Sequence, residues 1–283
     1  MDKPLTFAFS GDELYNRYVY ISFLRSMLKI AIKAARAGGA VLKKYFNNLD
    51  SFEYKNKQGT DLVTKADRES EDIIKKILLD KYPNHGFWGE ETGKENIKKE
   101  YVWLVDPLDG TSNYILGIPM FSVSIGLLRR GQAVLGVVYV PTTGEMFWAK
   151  KGEGAFCNNK KIKVSSTRDL GKAACSVEYW SRDSNHIGRG LKDFSRFAKS
   201  TKKIRYLSST VFELCRVANG NLDFCLLDTT FLDLAAPKLI VEEAGGVCRD
   251  YSGDEMGLNS KNPIRIIASN KNLYKKIKGA CSL

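Results

Sequence analysis

The sequence predicts a layered α/β protein, with a mostly antiparallel sheet in its N-terminal half and a second sheet in its C-terminal half. Three observations carry this. Two stretches of helical periodicity come first, a run of short strands parted by turn residues follows, and beyond about Ser165 strands and helices alternate. A chain of 283 residues suits one large domain or two smaller ones sharing a core. The expected division is an α+β subdomain over 1–165, holding most of the candidate acidic ligands, and an α/β subdomain over 166–283. With no repeat, low-complexity tract or Pro/Ser-rich linker between them, they should form one compact unit.

Over residues 23–45, Phe23, Met27, Ile30, Ala34, Val41, Leu42 and Tyr45 keep the helical period and predict an amphipathic helix. A second helix should begin near Thr64, whose spacing to Asp67 is that of a capping box, and stop before Pro83. Its apolar stripe is Ile73, Ile74, Ile77 and Leu78. Strands follow at 101–105, 121–128 and 134–140, the last two around a turn at 129–132. Further strands fit 145–149, 155–157 and 161–164, with Asn158-Asn159 as a tight turn. The alternating half reads as strand 174–179, helix 187–199, strand 205–207, helix 211–218, strand 222–227, helix 233–244, strand 265–269 and a short basic C-terminal helix. Proline is tolerated where its missing N–H would be unpaired, so Pro237 predicts that its helix begins at or just before Leu234, with Asp233 at the mouth. Ala235 and Ala236 are small enough for a ligand or strand to approach closely.

Composition excludes several classes. With 43% hydrophobic and 27% charged residues, the chain is not disordered, collagenous or a coiled coil. Its longest apolar stretch, 133–140, is far short of the roughly 20 residues of a membrane span. The first twenty residues carry Asp2, Asp12 and Glu13 and do not read as a signal peptide. Six scattered cysteines without a Cys-x-x-Cys pair indicate neither zinc nor a disulfide framework, which suggests a reducing cytoplasm. Two distant histidines, His85 and His186, make Ser-His-Asp hydrolysis a poor fit and leave oxygen as the ligand for any metal.

Three acidic segments carry the chemistry. Asp106-Pro107-Leu108-Asp109-Gly110-Thr111 follows an apolar strand, and ligands of open α/β sheets bind at strand ends. Pro107 fixes its φ and Gly110 permits a positive one, so Asp106, Asp109 and the Leu108 carbonyl could converge as hard ligands for Mg²⁺. Taken alone, the segment equally reads as a surface turn. Glu90-Glu91, between Gly89 and Gly93, reads as an inward-aimed pair or as a solvated acidic loop; Asp233 reads as a ligand or as an N-cap.

Together these segments resemble the inositol monophosphatase family, within the lithium-sensitive, Mg²⁺-dependent phosphatase superfamily that includes fructose-1,6-bisphosphatases. The resemblance covers roughly residues 31–269. It rests on 61–67 (DLVTKAD), 89–91 (GEE), 103–114 (WLVDPLDGTSNY), 152–156 (GEGAF) and Asp233-Leu234-Ala235-Ala236 with 243–246 (EAGG), in the family's order. It implies an αβαβα sandwich of the sugar phosphatase type and hydrolysis of a small phosphorylated polyol or sugar, inositol 1-phosphate above all. Fructose 1,6-bisphosphate, a nucleotide 3′-phosphate and NADP are the other substrates it leaves open. Two or three Mg²⁺ are implied: one on Glu90, Asp106 and the Leu108 carbonyl, a second on Asp106, Asp109 and Asp233, a weaker third on Glu90 and Asp67. Gly110 and Thr111 match the positions that receive the phosphate, Thr111 and Asp67 a pair that orients the attacking water beside Glu90. Asp109 and Asp233 also border the substrate in this scheme, Ser208, Ser209 and Thr210 fall where relatives line the pocket, and Asp228 is a candidate for their inositol-facing carboxylate. A homodimer is implied too. Gathering five carboxylates raises their proton affinity, which cations relieve.

Departures are few: Leu232 replaces the usual Trp before the helix Asp, Pro237 stands where many relatives have a small residue, and residues before about Ser22 have no counterpart. A haloacid-dehalogenase-type phosphatase is disfavoured because the carboxylates of its Asp-x-Asp motif are two positions apart, here three. Gly89–Lys94 lacks the spacing of a Walker loop. The 44 Lys and Arg against 32 Asp and Glu give a net charge of +12, which raises RNA binding as an alternative of another class. Doublets such as Arg129-Arg130 and Lys202-Lys203 fall at predicted turns and element ends, as dispersed solvated charge does.

Overall fold

The computed structural model describes residues 11–48, 52–54, 62–179, 184–258, 260 and 263–281. The elements run α1 (Gly11–Tyr45), β1 (Phe52–Tyr54), β2 (Leu62–Thr64), α2 (Lys65–Lys81), β3 (Gly86–Gly89), β4 (Gly93–Glu95), β5 (Tyr101–Asp109) and α3 (Thr111–Ile115). There follow β6 (Ser122–Arg129), β7 (Gln132–Val140), β8 (Glu145–Lys150), β9 (Gly154–Cys157) and β10 (Lys160–Lys161). The rest comprises β11 (Ala174–Val177), α4 (Ser184–Ser200), β12 (Lys203–Arg205), α5 (Thr210–Ala218), β13 (Phe224–Thr229), α6 (Phe231–Glu243), β14 (Gly246–Asp250), β15 (Ile264–Asn270) and α7 (Lys271–Ala280).

Three apolar cores separate five layers. The first sheet has the order β10-β9-β8-β7-β6-β5-β3-β4, and the second β12-β11-β13-β15-β14. One core joins α1 and α2 to the first sheet, through Met27, Ala34, Leu42, Ile74 and Leu78 against Trp103, Val105, Ile125 and Leu135. A second sandwiches α5 and α6 between the sheets, and a third packs Phe197 of α4 and Leu273 and Ile277 of α7 on the far face of the second sheet. Both faces of each sheet are therefore apolar, and alternate residues serve different cores: Trp103 and Val105 face α1 and α2, Val102 and Leu104 face α6. The expected αβαβα sandwich is borne out. Among the described residues no helix is long and apolar enough to cross a membrane.

The seating of α6 positions the site. A Cβ at Gly126 in β6 would come within 2.8 Å of Ala235 Cβ, and one at Gly136 in β7 within 2.6 Å of the Ala236 carbonyl. Small residues on both partners let the helix lie close on the sheet, as Ala235 and Ala236 suggested.

Several elements differ from expectation. The first helix starts at Gly11, and Leu24 rather than the exposed Phe23 faces the core. β3 pairs parallel with β5, so the first sheet is not wholly antiparallel. β1–β4 and β14 are too short or too glycine-rich to stand out in the sequence. The strand expected over 161–164 ends at Lys161, because the Val164 N–H leaves the sheet to pair with the Ala244 carbonyl at the end of α6. The strand expected over 205–207 lies earlier, at Lys203–Arg205.

Candidate active site

The acidic motif lies inside β5, where a turn beyond the strand end was expected. Asp106 pairs with Ser124 and Asp109 with Ser122, so three steps on β5 oppose two on β6. This bulge occurs at Pro107, which has no N–H to give the ladder, and it re-aims the side chains around it. Asp106 Oδ1 accepts the Leu108 N–H at 3.0 Å. Asp109 Oδ2 accepts the Ser122 hydroxyl at 3.2 Å, the Phe212 N–H at 3.3 Å and the Ser209 hydroxyl. Gly110 then takes the left-handed conformation, φ +84°, that a side chain would strain, and turns the chain into α3.

Asp67 and Asp233 are each placed by a helix start. Thr64 caps α2 and exchanges hydrogen bonds with Asp67, as the spacing predicted. Thr230 caps α6 in the same way, which makes Asp233 its third residue and not the N-cap expected. Pro237 is accordingly inside the helix, where it cannot donate to the Asp233 carbonyl four residues earlier. Asp233 Oδ2 accepts the Thr230 N–H at 3.1 Å and the hydroxyls of Thr229 and Thr230 at 3.1 and 2.9 Å. The signal was in the sequence, since Thr230 and Asp233 repeat the spacing of Thr64 and Asp67.

Glu90 follows β3 directly, its N–H bonded to the Val105 carbonyl at 3.2 Å. The next turn is held by Glu71, whose carboxylate accepts the N–H groups of Glu91 at 2.8 Å and Thr92 at 2.7 Å. The sequence patterns do not single out Glu71, which stands three residues before Ile74 on the apolar stripe of α2 and is fully buried. Thr111 Oγ1 lies 3.0 Å from the Leu108 carbonyl and 3.4 Å from Asp67 Oδ1.

Glu90, Asp106, Leu108, Asp109, Gly110, Thr111 and Asp233 line one cavity of about 280 Å³, together with Ser208, Ser209, Thr210 and Asp228. Asp67 is the one predicted site residue not on its wall; it is fully buried, one layer behind Thr111. Ser209, at the start of α5, spends its hydroxyl on Asp109 instead of capping its own helix. Asp228 is paired with Arg265 at 3.0 Å. Glu178, Tyr179 and Tyr206 also line the cavity and were not foreseen.

Burial raises the proton affinity of Asp67, Asp106, Asp109 and Asp233. Asp67 is pushed up to about 7 by loss of water, against the hydrogen bonds from Thr64. Asp109 is pushed up to about 7 and Asp233 to about 6, desolvation leading in both and the neighbouring carboxylates adding to it. Asp106 is driven well up by burial, then by the charges of Glu90, Asp233 and Asp109. Among the described residues no three His, Cys, Asp or Glu side chains converge closely enough to hold an ion as they stand. Glu90, Asp106, Asp109 and Asp233 instead surround the cavity. Their chemistry fits a hard divalent cation: all are oxygen donors, and a cation would compensate the charge gathered at the cavity.

A family model described as the inositol monophosphatase family matches residues 24–282. The chain belongs to that family. It is 36% identical over 252 residues to a fructose-1,6-bisphosphatase/inositol-1-monophosphatase of Aquifex aeolicus, covering 89% of this chain and 93% of that relative. It is 35% identical over 256 residues to the Nus factor SuhB of Vibrio cholerae, covering 90% and 95%. The structure of inositol monophosphatase from Anabaena superposes with a TM-score of 0.80 at 33% identity, covering 91% of this chain and 95% of that one. The protein is therefore an inositol monophosphatase family phosphatase, a phosphoric monoester hydrolase, and the family is generally metal-dependent.

Proposed function

We propose that the protein hydrolyses a small phosphorylated polyol in the presence of Mg²⁺, with inositol 1-phosphate the preferred substrate. The observation that supports this most directly is the ring of carboxylates around one cavity, Asp106 and Asp109 buried and Glu90 and Asp233 half-buried. On this reading Glu90, Asp106 and the Leu108 carbonyl hold one cation, Asp106, Asp109 and Asp233 a second, and Glu90 with Asp67 a weaker third. When bound, Mg²⁺ supplies an acidified water and charge compensation for the departing alkoxide.

The chain's own contribution is positioning. Thr111 has one hydroxyl proton; donating it to Asp67 leaves the oxygen lone pairs as acceptors for a proton of the attacking water. Glu90 helps to orient that water, and direct attack on phosphorus requires no phospho-enzyme. Gly110 and Thr111 offer backbone N–H groups to the phosphate, while Ser208, Ser209, Thr210 and Asp228 border the polyol. With all six cysteines free, a reducing cytoplasm suits the chain, and the family resemblance supports a homodimer.

The test is Mg²⁺-dependent phosphate release from inositol 1-phosphate, fructose 1,6-bisphosphate, a nucleotide 3′-phosphate and NADP, compared by kcat/KM. Inositol 1-phosphate is expected to be the best. Asp106→Asn should abolish release while circular dichroism stays near wild type, because it removes a ligand and little packing. Retained activity would overturn the assignment. A second reading, RNA binding, is favoured by the net charge of +12 and by the name Nus factor SuhB of the Vibrio cholerae relative. A filter-binding titration without affinity at about 0.15 M salt would dismiss it.

A further inference from the structure

Besides the carboxylates assigned to cations, two more line the cavity, Asp228 and Glu178, and their surroundings differ. Asp228 has a cationic partner, which it shares with Asp193. Arg265 Nε lies 3.0 Å from its Oδ1, and the same guanidinium reaches Asp193 at 3.2 Å and lies over the Tyr251 ring at 4.4 Å. Glu178 has no such partner among the described residues: no ion pair reaches it, and no Lys or Arg is among the described residues that line the cavity.

What holds Glu178 is a set of hydrogen-bond donors. Its Oε1 accepts the Leu207 N–H at 3.2 Å and the Ser208 N–H, with Ser208 in the left-handed region at φ +53°. Glu213 of α5 stands beside it, fully buried and receiving the Ser176 hydroxyl. Burial and the facing charge of Glu178 raise the proton affinity of Glu213 far above that of an ordinary carboxyl. The proton therefore stays on Glu213, while two backbone N–H groups hold the Glu178 carboxylate towards the cavity. Glu178 is a carboxylate fixed in place by the protein, with lone pairs left over.

We propose that Glu178 determines specificity: it accepts hydroxyl groups of a small polyol and repels a second phosphate, so that polyol monophosphates are selected over bisphosphates. This rests on the phosphatase reading above and adds the residue that chooses among its substrates. A second phosphate bound away from the cations would find Glu178 and no basic side chain among the described lining, and an unpaired buried charge discriminates against a ligand. A polyol hydroxyl meets the same carboxylate as a donor meets an acceptor.

The experiment compares kcat/KM for inositol 1-phosphate and fructose 1,6-bisphosphate in wild type, Glu178→Gln and Glu178→Asp. Gln keeps an oxygen for the Leu207 and Ser208 N–H groups, and Asp keeps the charge. Wild type should prefer the monophosphate. Glu178→Gln should lose about tenfold on inositol 1-phosphate, mainly through KM, and hold or gain on the bisphosphate, while Glu178→Asp keeps the wild-type order of preference. Equal losses on both substrates in Glu178→Gln, which a merely structural role would give, overturn the inference. So does a wild type that takes the bisphosphate as readily. A wild type that releases no phosphate from any polyol monophosphate overturns the substrate reading, and this inference with it; an active wild type with an unmoved ratio overturns the inference alone.

Discussion

Helices α2 and α6 begin with the same device, and its carboxylates end in different places. In each, an N-cap threonine and an aspartate at the third position exchange hydrogen bonds, and Oδ2 of the aspartate is the oxygen bound to the cap. Asp233 lines the cavity, whereas Asp67 stands behind Thr111 and reaches it with Oδ1. An N-cap is thus a way of aiming a carboxylate: it fixes one oxygen and leaves the other for further work. What that work is depends on how closely the rest of the fold brings the helix start to the cavity. For α6 this closeness comes from the pairing of Gly126 and Gly136 with Ala235 and Ala236.

The largest expected effect separates the two aspartates. Asp233→Asn should lower kcat/KM by about 10³-fold or more, since it removes a charge that faces the cavity. Asp67→Asn should cost about 10–100-fold, chiefly in kcat, because it acts through Thr111. Steady-state kinetics at saturating Mg²⁺ measures both. Equal losses would mean that the wall and the layer behind it do the same job, and the comparison would fail.

Next in size is the response to pH. Asp67 and Asp109 are raised to about 7 and Asp233 to about 6, from ordinary values near 3.8. Between about pH 4 and 7 the folded chain then holds protons that the unfolded chain has released, so this contribution to stability falls as pH rises through that window. The melting temperature of chelator-treated protein should drop by at least about 5 °C between pH 5 and pH 8. Added Mg²⁺ should reverse the drop, with a larger rise at pH 8 than at pH 5, since the cation replaces the protons. A melting temperature that climbs with pH in the absence of metal would show that burial does not raise the proton affinity of these carboxylates.

The same comparison shows what was legible in the sequence. The α2 box stood out because an apolar helical stripe follows it at once. The α6 box was hidden by Pro237, which pointed to a later start; close packing between the two sheets holds that helix together despite the missing hydrogen bond. The metal-site candidates could be named because their motifs occur in the order of the family that the chain resembles; taken singly, each read equally as a turn, an acidic loop or a helix cap. Glu71, Glu178 and Glu213 could not, since each is defined by a partner at least twenty residues away in the chain: Glu91, Ser208 and Ser176. The short strands β3 and β4 fail for a related reason. Three or four residues around glycines carry no period, and only their neighbour β5 makes them strands.

The smallest effect probes the caps themselves. Thr64→Ala and Thr230→Ala remove the same hydroxyl from equivalent positions, so each should cost about 1 kcal/mol in chemical denaturation. Their effects on activity should differ. At Thr230 the lost hydroxyl is one of three groups bound to Asp233 Oδ2, and the Thr229 hydroxyl and Thr230 N–H remain, so the cavity-facing carboxylate loosens but stays aimed. A few-fold rise in the Mg²⁺ concentration needed for half-maximal activity is expected there. At Thr64 the aspartate keeps its bonds to the Thr64 N–H and to Thr111, and serves only the weaker third cation, so the Mg²⁺ requirement should stay nearly unchanged while kcat falls slightly. If Thr64→Ala shifted the Mg²⁺ requirement as much as Thr230→Ala, Asp67 would have to be counted among the principal ligands, and the distinction between the two helix starts would be lost.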